Sequence, residues 1–248
     1  MSDLAVRVAL KRYDAVAEAP AHVALRDLAL TVRHGELVCL LGPSGCGKST
    51  LLNIVAGLDE RFEGSLSLPR SADDRPPAIG YVFQEPRLLP WRTVRRNVEL
   101  AMDPARHGAG LVEELLAAAG LAGFAEAYPQ RLSLGMTRRV ALVRAFAVEP
   151  DLLLMDEPFV SLDAPTAQQL RRLLLEIWQR RPTTVLFVTH DLREAIQLGD
   201  RILLFSPPPG RVVADIPVAI PRDARDEAAV EAFRRRLIDE RPGDFRGL

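Results

Sequence analysis

Residues 36 to 56 carry a strand pattern, a glycine-rich loop and a helix pattern in immediate succession, and no other stretch restricts the possible folds as strongly. The loop, Gly42-Pro43-Ser44-Gly45-Cys46-Gly47-Lys48-Ser49-Thr50, reads G-x-x-x-x-G-K-[ST]. Before it, Glu36 to Leu41 is an apolar run suited to a strand buried on both faces; after it, Thr50 to Ala56 reads as a helix. The glycines let backbone N–H groups turn inward around nucleotide phosphates, and the first helical turn adds unpaired donors and the positive end of its dipole. Lys48 then reaches the β- and γ-phosphates, and Ser49 offers its hydroxyl to Mg²⁺, a cation that keeps several waters and needs few protein ligands. Nucleotide binding is the expectation on which the remaining readings build.

A chain of 248 residues is long enough for a sizeable core. Its 32 basic and 33 acidic side chains nearly cancel and no basic stripe interleaves with aromatics, so nucleic acid is not the expected partner. No apolar run approaches the roughly 20 residues that span a bilayer, and residues 1 to 14 lack the apolar core of a signal peptide, which points to the cytoplasm. Cys39 and Cys46 have neither metal-ligand nor redox spacing and are read as reduced thiols. Cys46, near a helix N-terminus, is either an acidified, alkylatable thiol or a buried inert one.

Along the chain, Leu4 to Leu10 and Val23 to Val32 read as antiparallel strands of an accessory sheet, separated by the turn-like Glu18-Ala19-Pro20-Ala21. Tyr13, at the end of the first, either stacks on a base or lies on the surface. Gly57-Leu58-Asp59 stops the loop helix, and a Gly/Pro/Asp-rich run to Pro77 reads as surface turns. The strand Ile79 to Phe83 ends at Gln84, which either orients water or ligates Mg²⁺, or belongs to a solvated turn.

From Glu85 to Phe146 the pattern is helical, with segments Thr93 to Met102, Leu111 to Ala119 and Met136 to Ala147, and reads as an inserted helical subdomain of about residues 85–147. Arg87-Leu88-Leu89-Pro90-Trp91 near its start is either a docking surface or a core beneath the subdomain. Ser133 is placed to cap the third helix, and the Ser-Gly turn at 133–135 is a second candidate phosphate site. The apolar run Leu152 to Met155 delivers Asp156, suited to holding Mg²⁺ through water, and Glu157, suited to activating water against a phosphorus centre. A further strand, Thr184 to Val188, delivers Thr189-His190-Asp191, where His190 either contacts a γ-phosphate or its attacking water, or is incidental. Arg201 to Phe205 is the last strand assigned, and Asp226 to Glu240, in a tail of about residues 207–248, resembles an amphipathic helix.

This ordered set resembles the ATP-binding cassette of ABC transporters, from about Val6 through the tail. Gly42 to Ser49 matches the family's Walker A loop, Gln84 its Q-loop, Leu132 to Met136 its signature and Leu152 to Glu157 its Walker B strand. Ser161-Leu162-Asp163 matches the D-loop, His190 the switch histidine, and Tyr13 looks like the aromatic that stacks on adenine. The resemblance implies an α/β P-loop ATPase core with a mixed sheet, an antiparallel accessory sheet and an inserted helical subdomain, together one nucleotide-binding domain over 1–248. It also implies a head-to-tail pair of cassettes, formed with a second copy or a homologue, in which Ser133 and Gly135 of one cap ATP on the other. Glu157 then polarises water, His190 holds the γ-phosphate, and Gln84 senses Mg²⁺ and touches the permease.

Phe83 to Trp91 followed by Asn97-Val98 looks like the nitrate/sulfonate/taurine group of bacterial importers, a likeness strengthened by Pro207-Pro208-Pro209-Gly210-Arg211 and Ile220-Pro221-Arg222. It implies ATP and Mg²⁺ as cofactors, separate transmembrane permease subunits, an extracytoplasmic substrate-binding protein, and a place on the cytoplasmic face of the membrane. Two motifs depart from the family pattern: Leu134 and Met136 stand in the signature where Gly and Gln are usual, and Ser161 stands in the D-loop where alanine is usual. A soluble ABC-type ATPase of repair or translation is the alternative, against which stands the absence of paired cassettes or long insertions. A P-loop kinase or regulator would leave Leu132 to Met136 and His190 without a role.

Overall fold

The computed structural model describes residues 2–15, 20–69, 75–103, 110–181, 183–243 and 245. The turn expected at Glu18 to Ala21 and residues 70–74 of the turn-rich run lie wholly or partly outside them. In chain order the elements are β1 (Leu4–Tyr13), β2 (His22–Val32), β3 (Leu37–Leu41), α1 (Lys48–Val55), β4 (Glu63–Ser67), β5 (Ile79–Val82), α2 (Val94–Glu99), α3 (Leu111–Ala118), α4 (Leu134–Ala147) and β6 (Leu152–Asp156). There follow α5 (Ala164–Arg180), β7 (Thr184–Thr189), α6 (Leu192–Leu198), β8 (Arg201–Phe205), β9 (Val212–Pro217) and α7 (Glu227–Glu240). They divide into two compact units, Met1–Arg75 with Thr184–Leu248, and Pro76–Thr183.

The first unit holds two sheets. In the smaller, β1 pairs antiparallel with β2 and with β4. The alternation that marks β1 and β2 in the sequence is used directly: Leu4, Val6 and Val8 are buried with Leu28, Leu30 and Val32, while intervening residues face out. In the larger, β7, β3 and β8 run parallel and β9 adds antiparallel to β8, so the sheet is mixed, as the resemblance implies. Every residue of β3 is fully buried, which explains its unbroken apolar run. Helix α7 is capped by Asp226 and buries Val230, Phe233 and Leu237, the amphipathic stripe expected of the tail.

The run read above as surface turns contains β4. Of its five residues only Leu66 is even half-buried, so no apolar alternation marks it; backbone pairing with β1, not burial, makes the strand. Strand β9 is likewise not assigned from the sequence, because its ends are masked by the Pro-rich turn before it and by Pro217, a residue tolerated at a sheet edge.

In the second unit β5 and β6 run parallel, and α2, α3 and α4 supply the helices expected between them. Helix α5, unassigned from the sequence, was legible there: Asp163 caps it, Pro165 sits in its first turn, and Ala167, Leu170, Leu173, Leu174 and Ile177 form its buried stripe.

Candidate functional site: a phosphate loop and its partner motifs

Lys48 organises the loop of the first unit. Its Nζ donates to Gly42 O at 2.7 Å and Pro43 O at 2.9 Å, and the side chain is 5% exposed, so the loop is wound around its own cation. Gly47 caps α1 at φ +98°, and a Cβ there would meet Leu25 Cδ2 at 2.5 Å and Ala24 O at 2.8 Å. Both the backbone angle and β2 therefore require glycine. The arrangement is preformed for phosphate: a coil of backbone ending in a helix N-terminus, with an ammonium at its centre. Cys46 is fully buried; burial pushes its thiol up and the nearby Lys48 charge offsets only part of this. Of the two readings of Cys46, the structure shows the buried thiol.

The loop has a support that the sequence reading uses only as a likeness. The Pro-rich turn brings Gly210 against it, with Gly210 N donating to Ala24 O at 2.9 Å, and a Cβ at Gly210 would stand 1.9 Å from Cys46 O. Gly210→Ala must therefore displace the phosphate loop or the turn. We expect it to weaken ATP binding by more than it lowers the thermal midpoint would suggest, because the moved atoms belong to the loop itself. Isothermal titration with ATP and a melting curve on the same sample check this; wild-type affinity would contradict it.

Two further side chains lie beside this loop. In the β3–β7 register Leu41 pairs with Thr189, so Gly42 and His190 leave neighbouring parallel strands at their carboxyl ends, where ligands of such sheets bind. His190 is exposed, on a turn fixed by Asp191 N donating to Thr189 Oγ1 at 3.0 Å and by Asp191 capping α6. Tyr13, half-buried, donates to Asp59 Oδ2 at 3.1 Å, and its hydroxyl lies 3.4 Å from Thr50 Oγ1 of α1. Buried Lys11 lies 4.5 Å from the ring centroid and pairs with Asp59 at 2.7 Å. Burial of Asp59 opposes ionisation, but the bonds from Lys11, the Arg61 N–H and Tyr13, with the Lys11 charge, together outweigh it and hold its carboxyl below the usual range. The Lys11–Asp59 pair, which the sequence reading does not single out, thus fixes the ring that the resemblance assigns to adenine.

Stacking of a base on an aromatic side chain contributes about 1–3 kcal/mol, so Tyr13→Ala should raise the Kd for ATP about 5- to 150-fold. Tyr13→Phe keeps the ring and loses only the hydroxyl contacts to Asp59 and Thr50, so it should stay near wild type. Equal losses in both variants, measured by ATP titration, would show that the hydroxyl and not the ring matters.

The second unit gathers the other motif residues at the ends of its own strands. Val82 of β5 pairs with Met155 of β6, so Gln84 and the Asp156-Glu157 pair leave adjacent parallel strands together. Asp156 is 8% exposed and Gln84 is exposed. Burial, and then the Asp156 charge, push the Tyr81 phenol up. Glu157 has φ +44°, a left-handed backbone rare outside glycine and a local strain often kept where a side chain must be aimed.

Ser133 caps α4, accepting from Met136 N at 3.3 Å, while Leu134 is half exposed at 48%. Asp163 caps α5 and accepts from Thr166 N at 3.0 Å and Thr166 Oγ1 at 2.8 Å, bonds that hold its carboxyl below the usual range. The first turns of the two helices pack together: a Cβ at Gly135 would meet Thr166 Cγ2 at 2.7 Å, so the start of α4 lies against the start of α5.

Trp91 is 67% exposed, which excludes the core reading for that ring, while Leu88 and Leu89 are half-buried. Buried Asn97 shapes this loop: its Oδ1 accepts from Leu89 N at 2.7 Å and its Nδ2 donates to Leu89 O, Arg92 O and Thr93 O. Asn97 enters the sequence reading only as part of a family likeness; its structural task is to staple the Trp91 loop.

The ABC transporter family model matches residues 25–160, more than half of the chain. This chain belongs to the ABC transporter family. It is an ABC ATPase cassette, and the α/β architecture with mixed and antiparallel sheets is the one the family implies. The chain is 51% identical over 218 residues to the aliphatic sulfonates import ATP-binding protein SsuB 2 of Burkholderia cenocepacia (strain HI2424), covering 87% of this chain and 80% of that one. It is 40% identical over 243 residues to the SsuB protein of Bacillus subtilis (strain 168), covering 96% and 94%. Among solved structures, a dimeric post-hydrolysis ATP-binding cassette bound to ADP and Pi superposes with a TM-score of 0.74 at 31% identity, over 88% of this chain and 100% of that one. Among the described residues of the ABC cassette, no helix is long and apolar enough to cross a membrane.

Proposed function

We propose that this chain is the ATP-hydrolysing subunit of a membrane importer for aliphatic sulfonates or similar small sulfonate-, nitrate- or taurine-like solutes. The observation that carries the reading is identity of 40–51% to aliphatic sulfonate import ATP-binding proteins over most of the chain, with each phosphate-handling motif in place. The repair or translation alternative has no such support. The chain works peripherally at the cytoplasmic face of the membrane, bound to transmembrane permease subunits and served by an extracytoplasmic substrate-binding protein. The exposed Trp91 loop beside Gln84 is the surface that meets the permease.

Phosphoryl transfer to water needs little covalent help from a protein; it needs positioning and charge neutralisation. Each residue has a role on those terms. Tyr13 stacks the adenine. Gly42, Ser44, Gly45, Cys46, Gly47, Ser49 and Thr50 surround the phosphates with backbone and hydroxyl donors, Pro43, which has no N–H, shapes the loop and accepts from Lys48, and Lys48 neutralises the β- and γ-oxygens. Glu157 polarises the attacking water, and His190 holds it and the γ-phosphate.

Ser49, Gln84 and Asp156 offer hydroxyl, amide and carboxylate oxygens, with Asp156 acting through water. Each is a hard oxygen donor of the kind Mg²⁺ takes while keeping several waters, and none is a donor that a softer metal prefers. When bound, Mg²⁺ supplies charge neutralisation at the phosphates. In a closed pair of cassettes Ser133, Leu134, Gly135 and Met136 of one copy cover the ATP of the other, and Asp163 lies at the same junction. Closure on ATP and opening after hydrolysis give the permease its motion.

Affinity capture of the chain from its native membranes in mild detergent, followed by mass spectrometry, tests the reading. A multispanning permease is the expected companion. Recovery of soluble or nucleic-acid-bound partners alone would contradict it.

A further inference from the structure

In the second unit, the arginines of the signature helix α4 hold the backbones of two functional loops. Arg138 is 6% exposed, and its guanidinium donates to Gln84 O and, at 3.4 Å, to Val160 O. Six residues further along α4, Arg144 donates to Pro86 O at 2.8 Å and Arg87 O at 2.9 Å. Gln84, Pro86 and Arg87 follow β5, whereas Val160 lies between Glu157 and Asp163. One side chain on a single helix therefore touches both the segment carrying the amide and the turn following the carboxylate.

The chemistry suits a link better than a stabilising contact. A planar guanidinium can serve two carbonyls in different directions at once, which an ammonium on a flexible stem cannot do with the same definition. Yet the site is a poor bargain for the fold: a positive charge is buried, and Arg138 Nε finds no acceptor among the described residues. A buried charge with an unmade hydrogen bond lowers stability, and an apolar side chain of similar length is often tolerated as well or better.

We infer that Arg138 is a positioning residue for ATP hydrolysis, fastening the Gln84 segment to the turn after Glu157 so that both shift together with the signature helix. The inference rests on the roles proposed above for Gln84 and Glu157. Arg138 touches neither nucleotide nor water in this scheme; it acts through the two loops. Arg144 extends the same clamp along the Gln84 segment.

Steady-state ATP hydrolysis by the purified full chain tests this with Arg138→Met, Arg138→Lys, Gln84→Ala and the double variant Gln84→Ala/Arg138→Met, each with a melting curve. Misplacement of groups around a reacting centre costs up to about a hundredfold in rate, so Arg138→Met should lower kcat about ten- to a hundredfold. KM for ATP and the thermal midpoint should stay at wild type. Arg138→Lys, able to reach one carbonyl, should fall between. Because Arg138 acts through Gln84, the double variant should be no slower than the slower single variant.

Wild-type kcat in Arg138→Met, with Gln84→Ala slow, overturns the inference and leaves the proposed function standing. Multiplicative losses in the double variant overturn it too, as does a kcat loss matched by a lowered midpoint and restored fully by lysine, which would mark a packing role. Wild-type turnover in Gln84→Ala overturns the residue roles beneath it.

Discussion

Glu157→Gln should lower steady-state ATP hydrolysis by at least about a hundredfold, the lower end of what a positioned general base contributes, while ATP binding is retained. The substitution is close to isosteric. Glutamine meets the same left-handed backbone at φ +44° with the same difficulty as glutamate, so the change isolates the charge and leaves the strain of the turn alone. The adjoining Asp156 stays in place at the end of the buried strand β6, so the fold beneath the site is not disturbed. With chemistry blocked and binding intact, ATP should trap the closed pair of cassettes. Sedimentation of the variant with ATP and Mg²⁺ should show a dimer that wild type, turning over, does not accumulate. Turnover within a few fold of wild type would remove Glu157 from its role.

Lys48→Met should have the largest effect on binding. Methionine keeps most of the aliphatic stem of this buried side chain, so the core around α1 remains filled, but the charge and the bonds to Gly42 O and Pro43 O are lost. Truncating one partner of a buried charged pair costs about 2–5 kcal/mol, so the Kd for ATP should rise about 30- to 5,000-fold. Part of that loss comes from the empty loop itself, which would no longer be wound around a cation. Equilibrium dialysis with labelled ATP measures the affinity, and a melting curve on the same protein separates lost binding from lost fold. Affinity close to wild type would mean that phosphate is recognised elsewhere.

The parts of this molecule legible in its sequence are those where local chemistry and tertiary demand agree. A strand buried on both faces is apolar along its middle, so β3, β6 and β7 are visible as runs, leading to Gly42, to Asp156 and Glu157, and to His190, residues of the proposed site. Ser133 and Asp226 reveal the helices they cap, because an N-cap must offer a side-chain acceptor. Strand β4 was hidden because it is held by backbone pairing and buries almost nothing, and composition records burial.

The supports of the site were hidden for a different reason. Gly210 matters through the 1.9 Å that a Cβ would leave to Cys46 O, and Lys11 through the Asp59 carboxylate it meets across the fold. Neither residue has a local pattern that signals its partner, since the contacts join positions far apart in the chain. Arg138 belongs with them: its task is set by two carbonyls, which every residue possesses and no sequence marks.

The central claim, that ATP hydrolysis by this chain drives uptake of a sulfonate-like solute, is tested most directly by transport. Cells lacking the chain are complemented with wild type or with Glu157→Gln, and accumulation of radiolabelled ethanesulfonate is measured. The account predicts that uptake is lost in the deletion, restored by wild type and not restored by Glu157→Gln. Uptake undiminished by the deletion, or restored equally by Glu157→Gln, would contradict it.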